Sequence, residues 1–192
     1  MGDVKYRDLN DDGVIDDYDK TVIGRGDVPR IYYGFGADLQ VGNFSISALF
    51  QGNAQADRYL DGISIKPFWD DEGRDNVFAN ITDRWRADNP TNQDVFYPRL
   101  SVGSDGNNNN VKPSSWWVKD VSFLRLKQVN ISYTLPKKWT DPLLIKNAQI
   151  YLMGTNLLTF SKFKLWDPEL NTSNGTAYPN VSSYSIGLKF NF

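Results

Sequence analysis

Near the start of the chain, residues 8–19 gather oxygen-bearing side chains at a regular spacing. Counting Asp8 as position 1, they are Asp8, Asn10, Asp12, Asp16 and Asp19, at positions 1, 3, 5, 9 and 12. Gly13 stands at position 6 and Val14 at position 7, whose backbone carbonyl would complete the set. A hard divalent cation takes about six to eight oxygens, and glycine at position 6 permits the sharp turn such a loop needs. The spacing predicts a calcium loop of EF-hand or dockerin type, with Asp8, Asn10, Asp12, Val14, Asp16 and Asp19 as ligands. Asp19 departs from the usual Glu at position 12, and its shorter arm makes a bidentate contact harder. The alternative is a solvated acidic turn. No convincing helices flank the loop, so a structural site fits better than a sensor pair.

Other chemistry is narrowed by what the chain lacks. It has no cysteine and no histidine. That excludes thiolate and imidazole metal sites, cysteine nucleophiles and every histidine-based triad. Asp70, Asp71 and Glu72 could supply the carboxylate pair of a glycosidase. Adjacent acids on one loop are more often solvated charges, and the chain reads as a non-enzyme. A net charge of −2 and a pI of about 5.1 give no basic surface for nucleic acid. Aromatics make up 14% of the residues, with six Trp among them. Trp69, Trp85, Trp116, Trp117 and Trp166 fall on irregular stretches, where they could stack on the rings of a sugar or pack the loops together. Trp139, on a shorter connection, reads as a membrane-interface anchor.

The elements that must position these loops are β-strands. In the last stretch, Tyr184, Ile186, Leu188, Phe190 and Phe192 alternate with Ser183, Ser185, Gly187, Lys189 and Asn191. Successive side chains point to opposite faces, so this strand is apolar on one side and polar on the other. Its length suits a tilted strand crossing a bilayer, which takes about 9–11 residues. Upstream, residues 31–41 and 44–51 alternate likewise around a tight turn at Gly42 and Asn43. A third strand covers about residues 121–133. Its phase slips near Lys127 and Gln128, which predicts a β-bulge. A fourth covers residues 149–160, with Asn156 out of place on its apolar face. No apolar run is long enough for a transmembrane helix, a statement that leaves barrel strands untouched.

The connections alternate between short and long. Long irregular loops cover residues 52–119 and 162–182, far beyond ordinary connectors. Residues 106–110 look like a mobile tip. Outer-membrane barrels have short periplasmic turns and long extracellular loops, and the parity here is consistent with that. Lys127 and Lys189 would face a polar lumen. The fold class predicted is therefore all-β: C-terminal strands of an antiparallel transmembrane β-barrel, with long extracellular loops and the calcium loop. Residues 1–27 form an extracellular loop and residues 28–192 a barrel segment of about five strands. Five strands cannot close a barrel, so further strands are expected to precede them, and the chain reads as a piece of something longer.

Several short motifs, in order, resemble the C-terminal part of the SusC/RagA family of TonB-dependent outer-membrane transporters. They are Gly2 to Tyr6 leading into Asp8, the Arg84–Trp85 and Asn89–Pro90 pairs, and Tyr97 to Leu100. Phe123 to Lys127, Tyr133 to Pro136, Asn156 to Phe160, Asp167 to Glu169, the Tyr178–Pro179 pair and the last strand complete the set. The resemblance implies a barrel of about 22 strands closed by a plug. It implies residence in the outer membrane of a Gram-negative cell of Bacteroidota type, in contact with its lipid. It also implies import of glycans or peptides, energy from the TonB complex and a SusD-type lipoprotein lid. The other architecture compatible with the alternation is a soluble β-sandwich carbohydrate-binding module with a dockerin-like calcium loop.

Overall fold

The computed structural model describes residues 1–62, 65–68, 77–101 and 109–192. In chain order its strands are β1 (Ile31–Val41), β2 (Phe44–Ala54), β3 (Asp57–Tyr59), β4 (Val118–Asp120), β5 (Phe123–Thr134), β6 (Asn147–Ser161) and β7 (Ser183–Asn191). A single helical turn, α1 (Lys137–Thr140), lies between β5 and β6. The short run at Thr21 to Gly24 forms no strand.

The chain divides into two compact units that do not follow its order. One holds Met1–Gly26, Asp57–Lys119 and Thr172–Thr176; the other holds Asp27–Ala56, Asp120–Asn171 and Ala177–Phe192. Most of the long connection between β2 and β5 groups with the first 26 residues.

In the second unit, β1, β2, β5, β6 and β7 form one antiparallel sheet in that spatial order. The register explains why these sequences alternate. One row crosses all five strands as Leu39, Ile46, Ile131, Leu152 and Ile186. The next is Val41, Phe44, Tyr133, Ile150 and Leu188. One residue along, on the opposite face, the row reads Asp38, Ser47, Asn130, Met153 and Ser185. The sheet thus has one apolar and one polar face across its full width. The apolar face is not covered: Leu39, Ile46, Ile131, Leu152 and Ile186 are between 38% and 79% exposed. In water each such side chain would forgo part of the about 1.5–3 kcal/mol that full burial supplies.

Two irregularities keep the faces in phase. Leu49 and Phe50 of β2 are consecutive, yet they pair with Gln128 and Leu126, so Lys127 is the extra residue of a bulge. Against β6 the pairing jumps from Leu158 to Thr155 over the same point. Asn156, in that gap, takes a left-handed backbone with φ of 52°. Its Nδ2 donates to Val181 O at 3.1 Å, while Ser182 Oγ donates to Asn156 O at 2.6 Å. The residue that breaks the apolar pattern is therefore a bulge residue that stitches β6 to the approach of β7.

Glycine is required where an aromatic ring lies flat on a neighbouring strand. Tyr33 crosses over Gly52 to donate its hydroxyl to Phe123 O at 2.8 Å. A Cβ on Gly52 would collide with that ring and with the Phe123 carbonyl. Gly187 is likewise covered by the ring of Tyr151. Between β5 and β6, α1 and the turn Asp141–Leu143 present Trp139, Leu143 and Leu144 as exposed side chains.

Candidate functional site

Residues 8–19 form an exposed loop closed by its own acids. Asp8 accepts from the N–H groups of Asp11 and Gly13, both at 2.7 Å. Asp12 accepts from Val14 N–H at 2.8 Å and from Asn10 Nδ2 at 2.8 Å. Asp19 accepts from Leu9 N–H at 2.7 Å and Asp16 N–H at 2.8 Å, bonds that hold its carboxyl below the usual Asp range. Asp16 caps the short turn Asp17–Asp19. Gly13 has a φ of 82°, a left-handed backbone that favours glycine. The loop carries six Asp and one Asn in twelve residues. A carboxylate has about four lone-pair sites, so these amide bonds leave each acid able to accept more. As the loop stands, no three acidic side chains converge into a cation cage among the described residues.

Elsewhere in the same unit, a polar clamp holds the N-terminal residues. Asn110 is only 2% exposed and uses its whole amide. Its Oδ1 accepts from Val4 N–H at 2.8 Å; its Nδ2 donates to Asp3 Oδ1 at 2.8 Å and to Arg99 O at 3.0 Å. Arg99 closes the circle with a two-pronged ion pair to Asp3, at 2.9 and 3.1 Å. Burial alone would raise the Asp3 pKa, but the bonds from Arg99 and Asn110 outweigh it and hold Asp3 low. Trp117 donates its Nε1 to the Asn110 carbonyl at 2.9 Å and meets Tyr97 edge to face. Tyr97 is fully buried, with its pKa pushed up to about 12 by burial and by Asp83. Its hydroxyl finds no hydrogen-bond partner among the described residues.

The described candidate tryptophans differ in burial and partners. Trp117 is a core residue, 2% exposed. Trp116 is half-buried, donates to Phe96 O at 3.0 Å, and its ring lies 5.8 Å from the Lys119 ammonium. Trp85 is half-buried over Gly2, with its Nε1 on Pro90 O at 3.2 Å. Trp166, in the other unit, meets Phe163 edge to face at 4.9 Å. Trp69, Asp70, Asp71 and Glu72 lie outside the described residues. So do most of residues 106–110, but Asn110 itself is a buried anchor and not a mobile tip. Sequence reasoning did not single out Asp3, Arg99 or Asn110. The signal available was that the first two sit in motifs carrying the family resemblance.

The sheet unit is a two-faced antiparallel sheet. No family model matches the chain. It is similar to TonB-dependent receptor P26 of Formosa agariphila, 33% identical over 204 residues that take in 100% of this chain and 20% of that receptor. TonB-dependent receptor P3 of the same organism is 28% identical over 200 residues, 97% of this chain and 19% of that receptor. Among solved structures, the RagAB peptide importer in its open-open state matches with a TM-score of 0.62 and 25% identity, over 86% of this chain and 17% of that one. Its closed-closed state matches with a TM-score of 0.69 at 22% identity, a likeness of fold, over 93% of this chain and 20% of that one. The chain spans about one fifth of the length of the curated relatives it matches. It belongs with the TonB-dependent receptors of the SusC/RagA type.

The clamp generates a contrast between two buried polar residues. Asn110→Ala removes the partner of three part-buried groups and is expected to cost about 1–3 kcal/mol. Tyr97→Phe removes a buried hydroxyl that has no partner among the described residues and is expected to be neutral or stabilising. Amide hydrogen exchange over residues 2–6 and 97–101 checks both: fast exchange in the first variant, no loss of protection in the second.

Proposed function

We propose that this chain is a C-terminal wall segment, with its outer loops, of an outer-membrane importer driven through the TonB complex. The observation that carries the reading is the apolar face that crosses five strands without cover. Hydrocarbon is the solvent in which such a face is stable. It also favours a barrel over a soluble sandwich, whose inner face would be packed against a second sheet. In lipid β1 and β7 each need a neighbouring strand, so the reading requires further barrel strands beside them. The polar face, with Lys189 and the Ser, Asn and Gln rows, then lines the lumen. Trp139 and Leu143, on the short β5–β6 connection, sit at the periplasmic interface.

The cargo is an oligosaccharide or a peptide, held beneath a SusD-type lipoprotein lid. The partly exposed Trp85, Trp116 and Trp166 are the described tryptophans able to meet cargo or lid; Trp117 supports the loop from inside. The test is deletion of the gene for the receptor, followed by uptake of fluorescent oligosaccharides and fluorescent peptides. Loss of one cargo class, restored by the intact gene and not by one with a disabled TonB-contact segment, supports the reading. Unchanged uptake of both classes, or recovery of the protein from the soluble fraction without detergent, overturns it.

Residues 8–19 are proposed to bind one structural calcium ion through Asp8, Asn10, Asp12, Val14, Asp16 and Asp19. The support is the donor set and the left-handed Gly13. A bound cation would offset the repulsion among the four ligand carboxylates, Asp8, Asp12, Asp16 and Asp19, in one exposed loop. Calorimetry with calcium on the wild type and on Asp8→Ala with Asp12→Ala checks this. Binding of one ion per chain, lost in the double variant, is expected; no heat in the wild type at millimolar calcium removes the proposal.

A further inference from the structure

The most deeply buried cation of the sheet unit lies on the polar face of β5. Arg125 is 1% exposed, yet it reaches four groups. Its Nε donates to Thr159 Oγ1 on β6 at 3.0 Å. One terminal nitrogen bonds Glu169 Oε2 at 2.7 Å, and the other bonds Asp167 Oδ1. The guanidinium also stands 5.2 Å from the centre of the Phe123 ring. Lys127, the bulge residue, brings a second cation to 3.8 Å from Glu169. Two cations thus face two carboxylates, and the cluster is neutral.

The carboxylates belong to the loop between β6 and β7, and the cations to the wall. Glu169 also accepts from Asn180 Nδ2 at 2.9 Å, and Glu169 N–H donates to Asp167 Oδ1 at 3.0 Å. Residues from the outgoing and returning arms of the loop therefore converge on one oxygen atom that Arg125 holds. Burying a charge is costly unless it is paired and hydrogen-bonded, and breaking such a pair strands the partner. Arginine suits the task because its planar fork binds two acids and a hydroxyl at once, which an ammonium cannot span. An apolar contact would give comparable burial without fixing direction.

We propose that Arg125 is a positioning residue: it latches both arms of the loop formed by residues 162–182 to the inner wall, and so sets where that loop stands at the rim. The latch adds little to the barrel itself, whose strands are held by their backbone ladders. This rests on the chain being barrel wall only in the choice of assay; the latch itself follows from the ion pairs.

The test uses the full receptor in outer-membrane vesicles. Lys162 and Lys164 are exposed on the loop and serve as trypsin sites. The variants are Arg125→Gln, Arg125→Lys and, on the loop side, Asp167→Asn with Glu169→Gln. Amount inserted and heat-modifiable mobility are measured first, and identify any variant in which the barrel itself has failed. Inserted Arg125→Gln and the loop-side double variant should be cut at Lys162 and Lys164 about tenfold faster or more than wild type. Arg125→Lys should resemble Arg125→Gln, because charge without the fork does not hold both acids. Wild-type cleavage rates in either inserted neutral variant overturn the latch. Full protection restored by Arg125→Lys overturns the role given to the fork. If Arg125→Gln fails to insert, the loop-side double variant decides alone, since its changes lie off the strands. Failure of that variant to insert as well would make the cluster part of barrel assembly and overturn the latch.

Discussion

A sheet with one face left uncovered imposes the constraint on which the rest of this chain depends. Alternation of apolar and polar residues puts Leu39, Ile46, Ile131, Leu152 and Ile186 in one row on one side. Nothing in the sheet unit covers them. Hydrocarbon meets that demand and adds another: every N–H and C=O at membrane depth must be paired within the protein. The long antiparallel ladders do this between adjacent strands. The bulge at Lys127 is tolerated because Asn156 and Ser182 make compensating bonds on the far side of the gap.

The loops obey a different rule. Buried apolar residues such as Leu60, Ile65, Tyr97 and Trp117 pack beside buried polar groups whose partners are distant in sequence. Asn110 binds residues more than 100 positions away. Arg125 binds acids 42 and 44 positions away. Such groups give direction as well as burial, because each donor must meet a particular acceptor. They also explain why short motifs, weak one by one, carry the family resemblance. Asp3 and Arg99 pair across two of those motifs, and Arg125 pairs with Asp167 and Glu169 across two more. Those four motifs are the halves of two clamps.

Strand positions were legible because a period of two survives in sequence. The turn at Gly42 and Asn43, the bulge near Lys127 and the terminal strand were all read from alternation and its interruptions. The tertiary role of Asn110 was not legible: an Asn run reads as a solvated tip until the structure brings Val4 and Asp3 beside it. Burial of Trp117 was hidden for the same reason, since composition cannot say whether an indole faces cargo or core. The division into units was also hidden, because the long connection after β2 groups with residues far upstream. The oxygen spacing of residues 8–19 was legible as an acid-rich loop, several of whose acids accept backbone N–H bonds within it.

The central claim is that one face of the sheet meets lipid. These 192 residues contain no cysteine, so in a receptor freed of cysteines elsewhere single cysteines can be placed at will. Six consecutive positions of β7, residues 184–189, would each carry a nitroxide in the receptor in native outer membranes. Collision rates with oxygen, which concentrates in lipid, and with a water-soluble nickel chelate would then be compared. The account predicts a period of two: labels at Tyr184, Ile186 and Leu188 meet oxygen, and labels at Ser185, Gly187 and Lys189 meet the chelate. Equal access of the chelate to all six positions, or no alternation, would contradict it.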